Sequence, residues 1–324
     1  MENQTTKTYN STKQLYGISF HPSPSLTNNP NNIHIAISSM ETSINNQIEI
    51  ITTKNPEFAR EQTSLSLLCS VQVKYPITKL EWSPSNPSLL AASSDILRVY
   101  SFTGSNSFNQ ELRETISFNH DAPLTSLSWN PVNPSIIGVS SSDTSSSIYD
   151  INSCKELVTL KTNYSECYDI AFMTDGEMFL TCGGDGNIRM FDMRKLNQSN
   201  IIYEKTKKES IMKISINQNN DNFFSFISLE SHEINIIDKR NSKMIYKTLS
   251  YHKDNVNNSI WAPKSNCFAL SVSDDKSAIL WDVQSEALLS YTSDTEIENC
   301  AWGTVSENWV GITGDKSFKM LRVE

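Results

Sequence analysis

Two kinds of anchor recur at nearly constant spacing along this 324-residue chain, and few folds are open to a chain so organised. The first is an aromatic or aliphatic residue closing a short apolar run, often with Pro two positions later: Phe20, Trp82, Trp129, Phe172, Ile216, Trp261 and Trp302. Successive spacings are 62, 47, 43, 44, 45 and 41 residues. The second is an apolar residue followed by Asp, at Tyr149–Asp150, Phe191–Asp192, Ile237–Asp238 and Trp281–Asp282, spaced by 42, 46 and 44. Between anchors, short β-branched or aromatic runs alternate with polar turns, and no sustained helical periodicity appears. The fourth unit is the plainest, with runs at 168–172, 178–182, 187–192 and 200–204. Its turns at Asp175–Gly176 and Asp185–Gly186 use Gly to take up positive φ without steric cost.

Four short strands repeated about every 40–45 residues are the signature of a propeller blade. One such unit cannot bury both faces of its sheet alone, so the units must stack on one another. Seven anchors predict an all-β, seven-bladed β-propeller of the WD40 type over residues 13–324. The seventh unit runs out after Lys319–Val323, before an outer strand can form. The polar segment 1–12 precedes the first inner strand, and Thr5–Asn10 within it is predicted to lie beside Ser317–Val323. That pairing would supply the missing strand and close the ring without an exposed edge. The first two units are stretched by polar insertions at Ser23–Asn32, Thr53–Thr63 and Thr103–Asn109, all read as surface loops.

Composition narrows the function classes. A net charge of −9, from 27 Lys+Arg against 36 Asp+Glu, opposes direct nucleic-acid binding through a broad basic face. With only 10 Gly and 11 Pro, most turns fall to Asn, Ser and Asp. The six Cys are scattered without a C-x-x-C, and most sit in strand-like runs where Cys acts as a small hydrophobe. The N-terminus has no apolar core like that of a secretory signal, and no run is long enough to span a membrane. The expectation is a cytoplasmic and nuclear protein without metal or cofactor, monomeric within a larger complex.

The chemistry-bearing residues are few. His252, a strand Ser (Ser271 or Ser273), Asp275 and Trp281 stand at the spacing of the WD-repeat hydrogen-bond relay. A Ser–His–Asp set also invites a nucleophilic reading. Here the Ser lies in a strand run without a Gly-x-Ser-x-Gly elbow, so the set is read as structural bracing. His120–Asp121 occupies the equivalent position before the third unit. His21 and His34 could meet across a hairpin, but two imidazoles alone are a weak metal signal. Inner-strand runs carry only scattered acids, Glu81, Asp169 and Glu298, so no catalytic residue is assigned. Lys205, Lys207 and Lys208 could form a weak nuclear-import or phosphate-contacting patch, but a solvated loop is the preferred reading. Two tetrapeptides say more: Phe191–Asp192–Met193–Arg194 and Ile237–Asp238–Lys239–Arg240 each put Arg two residues after the repeat-ending Asp. The planar Arg fork can grip a partner's carboxylate or carbonyl, or fold back onto its own Asp.

Several stretches are similar to one particular family: KYPITKLEWSP (74–84), LLAASSDILRVY (89–100), APLTSLSWNPVNPSIIGVSSSDTSSSIYDI (122–151), YDIAFMTDGEMFLTCGGDGNIRMFDMRKLNQSNIIYE (168–204) and VNNSIWAPKSNCFALSVSDDKSAILWDVQ (256–284). They resemble the small WD-repeat adaptors related to anthocyanin-eleven and Transparent Testa Glabra, whose animal counterparts are kinase-associated scaffolds. The resemblance implies a scaffold without enzymatic activity that bridges protein partners. In plants these would be transcription regulators of the helix-loop-helix and Myb types. In animals they would be dual-specificity tyrosine-regulated and homeodomain-interacting kinases. It also implies, as an alternative, a substrate receptor of a cullin-RING ubiquitin ligase, meeting the ligase linker through Asp192, Arg194, Asp238 and Arg240. The chain departs from the family between Thr159 and Cys167, where the expected His-Asp pair is missing, and in the loops of the first unit.

Overall fold

The computed structural model describes residues 6–22, 32–42, 45–55, 64–103, 111–205, 209–304 and 308–323. Within them the chain forms seven four-stranded antiparallel sheets, the blades of a β-propeller. Six blades are meanders of four consecutive strands. In blade 4 these are Cys167–Phe172, Met178–Gly183, Asn187–Asp192 and Ser199–Glu204, within one residue of the runs read from sequence. Gly176 and Gly186 take φ of +67° and +73° at its turns, the conformation a Cβ would penalise. The helical content among the described residues is a single 3-10 turn, Lys239–Asn241, and no helix is long and apolar enough to cross a membrane.

The seven inner strands are Leu15–Phe20, Lys79–Trp82, Leu124–Trp129, Cys167–Phe172, Ile211–Ile216, Val256–Trp261 and Asn299–Trp302. Each contacts the next, and the seventh contacts the first. Blades therefore pack face to face around a central axis, which explains the burial pattern. A second strand such as Ile136–Ser141 is covered on both faces and buried at every position. An outer strand such as Lys155–Lys161 is exposed along most of its length. The core consists of interfaces between blades. Ile227, Ile236 and Leu249 of blade 5 meet Trp261, Ala269 and Trp281 of blade 6 in one cluster.

The seventh blade is completed from the other end of the chain. Asn299–Trp302, Trp309–Gly314 and Ser317–Arg322 are joined by Lys7–Asn10, paired in antiparallel register from Lys7↔Met320 to Asn10↔Ser317. The cluster beneath this joint unites Leu15, Ile18, Phe20 and Ile35 of blade 1 with Trp309, Phe318 and Met320 of blade 7. Packing there is close. A Cβ built on Gly311 would stand 2.7 Å from both Ile18 Cδ1 and Phe318 Cε2.

The insertions are shorter than the sequence suggested where the structure describes them. Asn32 opens strand Asn32–Ser39, Thr53 and Lys54 close Asn46–Lys54, and Thr103 closes Leu97–Thr103. Thr53 continues the strand because its side chain is buried and accepts a hydrogen bond from Lys7 Nζ at 3.0 Å. Apart from Asn55, the remainder of these insertions lies outside the described residues, as do Thr5, Lys207 and Lys208.

Candidate functional site

An antiparallel blade sends its connections to two opposite faces. The turn after each inner strand and the turn after each third strand emerge on one face, here called the exit face. The connections leading into inner strands, and those between second and third strands, emerge on the other, here the entry face.

On the exit face, each repeat-ending Asp ties down the turn that follows it. Asp150 accepts hydrogen bonds from Asn152 N and Ser153 Oγ, both at 2.9 Å, and Asp282 does the same for Gln284 N and Ser285 Oγ. Blades 4 and 5 add an arginine to this arrangement. Asp192 accepts from Arg194 N at 2.9 Å, from Nε at 2.9 Å and from Nη2 at 2.8 Å, while Arg194 Nη1 reaches Glu177 Oε2 at 2.9 Å. Asp238 accepts from Arg240 N at 3.0 Å, Nε at 2.9 Å and Nη2 at 2.6 Å. Hydrogen bonds from the Arg194 side chain and backbone hold the Asp192 carboxyl at about 2, and those from Arg240 lower Asp238 likewise.

Of the two arrangements open to these arginines, the structure holds the fold-back onto the preceding Asp. Each fork closes bidentately on its own Asp, yet the side chains remain 62% and 64% exposed. A guanidinium has five N–H donors, and the Asp uses only part of the fork. The Arg240 fork lies 6.0 Å from the Phe223 ring, which packs at 5.0 Å on Tyr246. Met244 is exposed in the same turn. The sequence reading missed this aromatic pair. Phe223 and Tyr246 each sit in an ordinary strand run, and only the pairing of Phe223 with Asp238 brings them beside Arg240.

On the entry face the structure assembles His252, Ser271, Asp275 and Trp281 as a chain. Trp281 Nε1 donates to Ser271 Oγ at 2.7 Å, Ser271 Oγ meets His252 Nε2 at 2.7 Å, and His252 Nδ1 meets Asp275 Oδ2 at 2.9 Å. Ser273, the other candidate, donates instead to Asp254 O at 3.1 Å. Burial works against the Asp275 charge, but donors from Ser277, Lys253 N and His252 hold its carboxyl at about 2. Burial lowers His252, partly offset by Asp275. Ser271 is fully buried between an indole and an imidazole, with no path for a substrate to its oxygen. In blade 3 the same corner joins His120, Asp143, Ser145 and Tyr149. In blade 4, which lacks the His, Arg189 pairs with Asp185 at 2.8 Å and lies under the ring of exposed Tyr164.

The scattered acids do not form an acid–base pair. Asp169 is committed to Ser126 Oγ at 2.6 Å, Ile170 N at 3.0 Å and Ile214 N at 2.9 Å. Glu81 accepts from Trp129 N at 3.2 Å and is pushed up to about 7 by burial, with Lys79 opposing. Glu298 lies at the entry face, in a pocket with Lys276 and Glu296. His21 and His34 do meet, ring centroids 6.2 Å apart, beside Trp82 and Phe102. Among the described residues no group of three or more His, Cys, Asp or Glu is placed to hold a metal ion.

Comparison with known proteins agrees with this geometry. The WD domain, G-beta repeat family matches residues 154–192 and 244–282, each match ending on a repeat-closing Asp. Over the full length of both proteins, the chain is 32% identical to a DDB1- and CUL4-associated factor 7 homolog of Dictyostelium discoideum. The chain belongs to the WD-repeat family. Two further WD-repeat relatives match at lower identity. One is an uncharacterized WD repeat-containing protein of Schizosaccharomyces pombe, 28% identical over 77% of this chain and 64% of that one. Another is a WD repeat-containing protein of Saccharomyces cerevisiae, 27% identical over 78% of this chain and 55% of that one. In WD-repeat terms blade 6 is the fullest copy, with His, Ser, Asp and Trp all present. The first three strands of blade 5 fall between the two matched stretches and the third ends in Ile237–Asp238, so the pair of Asp-x-Arg turns spans one matched and one unmatched repeat.

Proposed function

We propose that this chain is a non-catalytic adaptor and that its primary role is substrate receptor of a cullin-RING ubiquitin ligase. One observation carries the reading. Two Asp-x-Arg turns on consecutive blades present partly exposed, pre-oriented guanidinium forks on one face. Full-length similarity to a relative named for association with DDB1 and CUL4 supports it. Mechanistically the Asp fixes the Arg rotamer before binding, so little side-chain entropy is lost when a partner carbonyl or carboxylate engages the remaining donors. Arg240 with Phe223, Tyr246 and Met244 has the composition of a hot spot, an Arg among aromatic and apolar groups.

A rigid ring with a second, separate face can hold two proteins at once and raise their effective concentration for each other. On the entry face Tyr164 and Tyr251 are 86% and 62% exposed and available to cargo. The resemblance to the anthocyanin-eleven adaptors supports protein kinases of the dual-specificity tyrosine-regulated and homeodomain-interacting types, or transcription regulators, as that cargo.

The test is a tagged double variant, Arg194→Ala with Arg240→Ala, compared with wild type for recovery of the ligase linker and cullin from cells. Truncation of two interface arginines is expected to cost about 2–4 kcal/mol of binding and to reduce recovery more than tenfold. Undiminished co-purification by a folded double variant removes the basis of the proposal.

A further inference from the structure

The central channel holds a cavity of about 650 Å³ whose mouth is rimmed by Pro84, Pro131 and Pro263, all on exit-face turns. Three positions before each inner-strand anchor, the chain places a ring of side chains at one depth in this channel. Lys79, Asp169, Lys213, Asn258 and Asn299 line the cavity there. Gly17 leaves a gap in the ring, and Ser126 turns its hydroxyl to Asp169.

The charges in this ring do not cancel locally. Asp169 has three hydrogen bonds from the protein and stands 3.8 Å from Lys79 Nζ. Its acceptor capacity is largely used. Lys213, on the next inner strand, has no hydrogen bond or ion pair among the described residues although it is largely buried. Burial disfavours its charge, yet the Tyr16 and Asp169 oxygens outweigh burial and keep the ammonium protonated. Asn258 Nδ2 donates to Asn299 Oδ1, which also accepts from Cys300 N. This arrangement leaves the Asn299 amide nitrogen without a protein acceptor among the described residues. The ring thus carries two ammoniums against one carboxylate, with a spare amide donor, in a confined lumen where charge is poorly screened. Glu81 lies one layer nearer the mouth, where burial pushes its carboxyl up to about 7, and offsets this only in part.

We infer that the channel ring binds a small oxyanion, held by Lys213 and Lys79 with the Asn299 amide as a third donor. Buried ammoniums without partners are costly, and rings of Lys in a pore are a recurrent device for holding phosphate-like anions. The site is independent of the ligase reading, because none of its residues belongs to the Asp-x-Arg turns.

Titration calorimetry of the full chain with inorganic phosphate, and separately with acetate, tests this. Matched ionic strength in chloride is the reference. Saturable phosphate binding by wild type is expected, weakened at least about tenfold in Lys213→Met and in Lys79→Met, and unchanged in the exposed-loop control Lys243→Met. The phosphate-induced rise in melting temperature should vanish in the same two variants, which keeps the test valid if one of them folds poorly. Acetate binding without phosphate binding, with the same dependence on Lys213, also supports the site and assigns it to carboxylates. No saturable binding of either anion, or equal affinity in wild type and both Lys variants, overturns it.

Discussion

At the scale of the single residue, His34 has an unusual environment. It is 1% exposed, both ring nitrogens lack partners among the described residues, and burial together with neighbouring His21 lowers it from 6.5 to about 4. Only the neutral ring is tolerated in the fold, whereas the unfolded chain protonates it normally. Below pH 6.5 the unfolded state therefore binds more protons than the native state, and stability must fall as pH drops toward 4. The loss approaches about 3 kcal/mol over that window. Urea unfolding at pH 7 and pH 4.5 should show the decline, and His34→Phe should flatten it. An equal decline in the variant would assign the acid sensitivity elsewhere. His34 could not be recognised from sequence, because its strand alternation resembles that of any buried position. The Asp-x-Arg turns could be, since an Arg two residues after a repeat-ending Asp is a local pattern whose geometry closes within the same turn.

The blade is the next scale, and bracing is its theme. In blade 6 the His252–Ser271–Asp275–Trp281 chain ties the connection into the inner strand to the second strand, the following turn and the third strand. Ser271→Ala would leave the buried Trp281 indole N–H without an acceptor and His252 Nε2 without a donor, at a cost of about 2 kcal/mol. Equilibrium denaturation measures this, and a loss below about 0.5 kcal/mol would show that the chain contributes little to stability. The relay was readable from sequence because it needs four chemically distinct residues at fixed spacing. Its variants were harder to see. Tyr149 replaces Trp in blade 3, and Arg189 takes over the pairing of Asp185 in blade 4, where no His is present. These substitutions keep a polar tie while replacing part of the residue set that would announce it.

The whole molecule adds what no single repeat contains. The channel ring is built from one residue per inner strand, each unremarkable in its own run, and becomes a charged site only when the seven strands converge. Seven-fold closure itself was foreseeable from the incomplete last repeat, and the register Lys7↔Met320 to Asn10↔Ser317 gives it concrete form. Removing residues 1–12 would unpair Ser317–Arg322 and uncover part of the cluster holding Trp309 and Phe318. Each large apolar side chain so exposed forfeits about 1.5–3 kcal/mol, so the melting temperature should drop by several degrees. A truncated chain melting with the wild type would mean that the joint contributes nothing to the ring.

That joint also sets a timetable for the newborn chain. Lys7–Asn10 leaves the ribosome about 310 residues ahead of its partner Ser317–Arg322. At roughly 5–20 residues per second, the first strand waits on the order of tens of seconds for a mate. Throughout that interval Leu15, Ile18 and Phe20 present to solvent the surface that blade 7 will later cover. Chaperone engagement of nascent chains should therefore be densest before residue 322 is translated, and should ease once the two ends can meet.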